Sequence, residues 1–303
     1  MELETEVPNL YLEDTIATFV VSKEMKCLWA IQLDLLAKID SICRKYNIRY
    51  SIDSGTLIGA KRHGGFIPWD DDIDVVMPRK DYEKFKEVVA DEISGYYYFQ
   101  TSDNSPGYYR SFGRLLNVKT VAALKADMRN GKMLWKYRQC VFVDILVLDN
   151  IPDNMEERKS HFSILQRLHR RYWTTRELVK YAANWRIVEK TIGGLYKIFV
   201  GSLLLFLSKC GLNLLQRRFR AFDRQLQKYS NLNTKEGAPY TNRPYEIIGL
   251  CEFDNLEEVP FEYLSVKAFK NFDLILSKRY GNWRKHVIGH KPDMYYDLTE
   301  FLK

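Results

Sequence analysis

The sequence has no apolar run near 18 residues, so nothing in it predicts a membrane-spanning helix. Ile198–Ser208 comes nearest, with eleven residues free of charge. There is no CxxC pair. The five cysteines (Cys27, Cys43, Cys140, Cys210, Cys251) are odd in number and scattered. That excludes a disulfide framework and fits free thiols in a reducing compartment. Cys27 and Cys43 fall on apolar helical positions and are expected to pack. Residues 1–14 are acidic and polar, without the basic-then-apolar layout of a signal peptide. Internal repeats, low-complexity segments, groove-reading motifs and regular aromatic–basic interleaving are also missing, so nucleic acid is not an expected partner.

What is present is a folded globular composition, 46% hydrophobic and 28% charged over 303 residues. The net charge of +7 is unevenly placed. Residues 156–228 hold 16 Lys+Arg against 5 Asp+Glu, a balance of +11 that leaves −4 for the rest. The basic middle and the acidic remainder are expected to do different work.

Apolar spacing predicts a helix over 24–46 and a short strand over 48–52, broken by Asp53-Ser54-Gly55-Thr56 before a helix that begins near Leu57. His63-Gly64-Gly65 reads as a turn and 73–77 as a strand. A helix is expected over 81–91 with Asp81 as its N-cap. Strands are expected over 96–100, 113–116 and 141–148, and long helices over 155–230. Residues 264–280 read as an amphipathic helix ended by Gly281.

The stretch GFIPWDDDIDVV (65–76) sets Asp70, Asp71, Asp72 and Asp74 among apolar neighbours. Asp is depleted in strands, and like charges this close repel. Strand alternation puts Asp72 and Asp74 on one face, opposite Ile73 and Val75. Two adjacent carboxylates are stable as anions with a cation between them, and Mg²⁺ or Mn²⁺ suits oxygen ligands. A solvated acidic turn is the alternative. Upstream, Gly55 and Thr56 follow a strand and open a helix, an arrangement that lets backbone amides approach a phosphate. Asp144 interrupts an apolar strand, where a charge is costly unless it joins the site; a carboxylate at a strand end is the alternative. Asp149 is explained by turn chemistry.

Residues 43–50 and 54–85 together resemble the signature of the LicD family of phosphocholine transferases. Residues 113–120, Phe142–Asp149 and 264–283 are similar to further family elements, while 155–250 is not. The resemblance implies an α+β, nucleotidyltransferase-like fold: a mixed β-sheet core flanked by helices, with a helical insert. The expected division is a catalytic core over 24–154, a basic helical insert over 155–235 and a segment over 236–303 that completes the core.

The implied activity is transfer of phosphocholine from CDP-choline, or of another phospho-alcohol from its CDP donor. The acceptor is a glycan hydroxyl on teichoic acid, lipopolysaccharide or capsular polysaccharide, in some cases lipid-linked. By motif position, Asp72 and Asp74 are the expected metal ligands and Asp144 the third carboxylate. Gly55 and Thr56 are the phosphate-loop residues. Arg62, His63 and Trp69 fall on matching positions, and Arg62 and Arg114 are candidates for phosphate contact. The alternatives are a surface ion pair for each arginine, a turn role for His63 and core packing for Trp69.

Two further readings stay open: a nucleotidyltransferase that releases pyrophosphate, or a membrane-associated scaffold with an inactive domain. Transfer of ribitol phosphate or phosphoethanolamine is a variant of the first activity. The apolar 198–208 beside Gln216–Arg220 suits peripheral contact with an anionic membrane on its cytoplasmic face; a buried helix is the alternative.

Overall fold

The computed structural model describes residues 14–16, 19–129, 132–133, 135–183, 192–239, 246–287 and 294–299. The acidic amino terminus over 1–13 and residues 184–191 of the expected helical stretch lie outside them. The helix expected over 24–46 is α1 (Lys23–Lys45), whose first turn is capped by Ser22 Oγ accepting the Met25 amide at 3.2 Å. Ile31, Leu35, Leu36 and Ile39 on α1 are fully buried in the main core. Each such side chain removed from water contributes roughly 1.5–3 kcal/mol.

The centre is a seven-stranded mixed sheet. Its longest strand, Val141–Asn150, pairs in parallel with Asp74–Pro78. It pairs antiparallel with Gly113–Asn117 along its first half and with Glu236–Ala238 at its end. Ser51–Ile52, Tyr97–Gln100 and Ile248–Gly249 extend the sheet outward. Val141, Val143, Ile145 and Val147 alternate into the core, as a half-buried strand requires. Val121–Leu124 pairs separately with Met294–Asp297.

Seven α-helices are present among the described residues, and the mixed α/β architecture is the one expected. Helix α2 (Ser54–His63) starts three residues earlier than expected and is closed by Gly64 in the left-handed region (φ +73°). Helix α3 (Arg79–Glu92) starts at Arg79, and Asp81 is not its cap. The Asp81 carboxylate instead accepts the Arg49 amide at 2.8 Å and the Arg49 guanidinium at 2.9 Å. Asp149 belongs to no turn: it lies in the long strand and takes Arg79 Nε and Nη2 at 2.7 and 2.8 Å, a buried bidentate pair.

Residues 264–280 are not one helix. Leu264–Phe269 is a strand paired with Leu256–Phe261, and only Phe272–Tyr280 is helical (α7). Val266 and Ala268 point into the core with period two, and over six residues that pattern also fits a helical face.

The basic stretch forms α4 (Met155–Ala183), α5 (Ile192–Lys209) and α6 (Leu214–Leu226). Leu165, Phe222 and Leu226 make one small core between α4 and α6, and Tyr172, Val179, Leu215 and Phe219 make another. Tyr109 joins this layer to the sheet: its carbonyl accepts Tyr172 Oη at 2.7 Å and its hydroxyl accepts Asn213 Nδ2 at 3.0 Å.

Helix α5 crosses α4 so closely that a Cβ at Gly201 would stand 2.0 Å from the Leu178 carbonyl oxygen. Among the described residues the opposite face is uncovered. Leu195, Tyr196, Phe199, Leu203 and Phe206 are exposed, so the reading of α5 as a buried helix fails on that face. No helix among the described residues is long and apolar enough to cross a membrane.

Candidate active site

The acidic loop is gripped from behind by α1. Trp29 Nε1 donates to the Asp70 carbonyl at 2.8 Å, and Gln32 Nε2 to the Asp71 carbonyl at 2.7 Å. With the carbonyls held, three side chains crowd together: Asp70, Asp71 and Asp72 each offer a carboxylate oxygen within 4.8 Å of the others. Tyr296 Oη donates to Asp71 Oδ2 at 2.9 Å.

Asp72 lies in the loop before the strand, which begins at Asp74. Ile73 and Val75 are fully buried, so the expected in–out division holds around the two acids. The Asp74 amide donates to Thr56 Oγ1 at 2.9 Å, and the Asp74 carbonyl accepts the Asp53 amide at 3.0 Å. Asp144 stands directly beside Asp74 in the parallel register. Burial, then the charges of Asp72, Asp144, Asp53 and Asp70, push the Asp74 carboxyl well above the usual carboxylate range.

Two arginines offset part of this charge. Arg114, directly across the sheet from Asp144, donates from Nε at 2.5 Å and from Nη2 at 3.2 Å. Its guanidinium also stacks 3.7 Å from the Phe142 ring centroid. Arg279 on α7 donates from Nη1 to Asp53 Oδ1 at 2.6 Å. Sequence reasoning missed Arg279 and Asp53. Tyr296, Asp70 and Asp71 were likewise not assigned roles.

Asp72 and Asp144 line two adjoining cavities. One, of about 270 Å³, also takes in Asp53, Ser54, Asp74 and Arg279. The other, of about 210 Å³, takes in Asp71, Arg110, Arg114 and Tyr296. A third, of about 140 Å³, lies against the helical layer and is walled by Tyr108, Trp135, Tyr137 and Trp173. Tyr96 and Tyr97 are elsewhere, both donating to Asp34 Oδ2.

The other expected site residues fall as follows. A Cβ at Gly55 would stand 2.4 Å from Asp70 Oδ2, so the missing side chain admits a carboxylate of this chain to the start of α2. Thr56 is buried and its hydroxyl is spent on the Asp74 amide. Arg62 and His63 close the far end of α2, roughly 10 Å along the helix from Gly55. Neither lines the carboxylate cavities. Arg62 donates to His63 Nε2 at 2.9 Å and to the Trp283 and Lys285 carbonyls. Burial, then Arg62 and His286, lower the His63 pKa. Trp69 packs edge-on to Phe19 at 5.8 Å between ring centroids, as a core residue does.

A divalent cation fits this donor set. Among the described residues the group whose carboxylate oxygens lie close enough to share one ion is Asp70, Asp71 and Asp72, hard oxygen donors all. Asp74 and Asp144, on the paired strands, lie outside that group and share a cavity with Asp72.

The likeness to the LicD family holds beyond the motif. Residues 47–157 match the family model described as LicD/FKTN/FKRP, nucleotidyltransferase domain. The chain is 34% identical over 139 residues to the lipopolysaccharide cholinephosphotransferase LicD of Haemophilus influenzae, covering 46% of this chain and 48% of that one. It is 40% identical over 120 residues to an uncharacterised protein of Rickettsia prowazekii, covering 40% of each. A third relative, from Rickettsia typhi, is 41% identical over 66 residues, 22% of this chain and 21% of that one. The matched stretches span under half the length of each relative.

Proposed function

We propose that this protein is a metal-dependent phosphotransferase with a nucleotidyltransferase-like core. In this reading it moves phosphocholine from CDP-choline, or a related phospho-alcohol from its CDP donor, onto a hydroxyl of a cell-surface glycan. Lipopolysaccharide is the first acceptor to test, since the Haemophilus relative bears that name; teichoic acid and capsular polysaccharide follow. The observation that carries the reading is the convergence of Asp72, Asp74 and Asp144 on one cavity.

Asp72 and Asp74 would hold Mg²⁺ or Mn²⁺, which when bound neutralises the acids and the donor's diphosphate and stabilises charge on the leaving oxygen. Asp144, fixed in orientation by Arg114, accepts a hydrogen bond from the acceptor hydroxyl and aims its oxygen at the phosphorus that carries the alcohol. The new P–O bond forms as the bond to the CMP phosphate breaks. CMP leaves with the electron pair, and the hydroxyl proton passes through Asp144 to solvent.

The test is incubation with a panel of CDP-alcohols, Mg²⁺ and candidate glycans, with CMP as the readout. CMP release with CDP-choline and an acceptor supports the proposal. Pyrophosphate release from CTP selects a nucleotidyltransferase instead, and neither product leaves a scaffold.

In the same reading the exposed face of α5 rests on the anionic cytoplasmic surface of the cell membrane, bringing the site to a lipid-linked acceptor. Phe199→Glu with Phe206→Glu should abolish sedimentation with anionic liposomes while leaving turnover of a water-soluble acceptor unchanged. Equal sedimentation of both proteins rejects this contact.

A further inference from the structure

Among the described residues, three hydrogen-bonded Arg–Asp pairs are largely buried, and one differs from the other two. Arg79 engages Asp149, and Arg114 engages Asp144, through Nε and Nη2, the edge of the guanidinium that matches a two-oxygen anion. Arg279 engages Asp53 through Nη1. Its Nε and Nη2 are buried and have no hydrogen-bond partner among the described residues. The Arg279 side chain is only 5% exposed. A buried donor without an acceptor is costly, and two on one side chain are more so. Helix α7 is anchored well enough to hold this geometry. Leu276 is fully buried, and Trp283 Nε1 donates back to Asp273 Oδ1 at 2.8 Å.

Arg279 lines the 270 Å³ cavity together with Asp53, Asp72, Asp74, Asp144 and Glu246. Among the described residues it is the one cationic side chain on that wall. We propose that the unpaired Nε/Nη2 edge of Arg279 binds two oxygens of a substrate phosphoryl group, making Arg279 a binding residue of the carboxylate site. A tetrahedral phosphoryl anion presents two oxygens to the edge as a carboxylate does, and it supplies both absent acceptors at once. The one-armed bond to Asp53 leaves that edge of the cavity-lining guanidinium without an acceptor. The proposal deepens the phosphotransfer reading and rests on it for the identity of the donor.

The test uses inorganic pyrophosphate, the smallest diphosphate, titrated calorimetrically in Mg²⁺, with cytidine as a phosphate-free control. Arg279→Lys keeps a cation for Asp53 and loses the two-pronged edge. We expect at least a tenfold loss of pyrophosphate affinity, unchanged melting temperature and, in turnover, a raised KM for CDP-choline with kcat less affected. Asp53→Asn removes the ion pair but keeps the edge, and should retain pyrophosphate affinity. An equal loss in both variants means that Arg279 only positions Asp53 and overturns the proposal, as does unchanged affinity in Arg279→Lys.

Should Arg279→Lys fail to fold, a wild-type crystal soaked with pyrophosphate decides: a phosphate oxygen within hydrogen-bond distance of Nε or Nη2 supports the assignment, and an anion bound elsewhere rejects it. The two readings fail separately. Arg279-dependent pyrophosphate binding with no turnover of any CDP-alcohol sinks the phosphocholine reading alone. Turnover of CDP-choline with a KM indifferent to Arg279→Lys sinks this one alone.

Discussion

Asp74 and Asp144 face each other in register on neighbouring parallel strands, two carboxylates side by side in a fully formed ladder. The main-chain bonds hold them there whether or not their charges agree. The protein therefore carries electrostatic repulsion in its fold, and the consequences can be measured.

Asp74→Asn should abolish turnover and yet stabilise the metal-free protein. Because the Asp74 pKa is raised, the folded state holds that proton more tightly than the unfolded chain does. Its stabilising effect is complete at pH values below the ordinary carboxylate range and is lost as pH rises through the raised value. The melting temperature of the wild type without divalent ions should fall across that window, and the variant's should not. Each kcal/mol of relieved repulsion raises the midpoint by about 2–4 °C in a chain of this size. A scanning-calorimetry series in chelator reads this directly.

Arg114→Ala should destabilise by about 3 kcal/mol, since it leaves Asp144 on the sheet without its bidentate partner. Adding Asp144→Asn should recover most of the loss. Urea midpoints of the two single variants and the double variant give the coupling energy; additive losses mean that the pair is not coupled.

Gly55→Ala should cost about 1 kcal/mol, because the new methyl group meets the end of the Asp70 side chain, which must swing aside. In an Asp70→Ala background the same substitution should be nearly neutral. Denaturant unfolding of the four proteins checks this, and an equal cost in both backgrounds would mean that the collision lies elsewhere.

His161 is buried between α4 and α6, where Gln225 lies 3.0 Å from Nδ1 and the Tyr229 ring sits edge-on at 4.9 Å. Burial, then the charge of Lys228, lower its pKa to about 4. The neutral ring's contribution is complete above about pH 6.5 and is lost as pH falls toward 4, up to roughly 3 kcal/mol. His161→Gln should flatten the unfolding free energy between pH 6.5 and 4; an unchanged slope contradicts the assignment.

The acidic loop and its helix were legible because their chemistry is contiguous: residues 55–76 carry a turn, a helix and a strand in one unbroken run. The pairing of Arg114 with Asp144 was not, because it depends on strand register, and no local pattern sets register between residues 30 positions apart. Arg279 stayed hidden for another reason. In the last turn of α7 a basic residue complements the helix dipole, so its presence needs no site to explain it. Its partner Asp53 lies 226 positions away. The strand over 264–269 was misjudged because its apolar residues satisfy two periods at once.

The hydrogen bond from Tyr296 to Asp71 spans 225 positions of chain. A ribosome adding roughly 5–20 residues per second completes the acidic loop some ten to forty-five seconds before it makes that tyrosine. Throughout that interval the nascent chain displays the Asp71 carboxylate without the phenol that later donates to it, and for most of it Arg279 is missing too. Closure of the acidic loop by Tyr296 thus waits on residues made long after the loop itself.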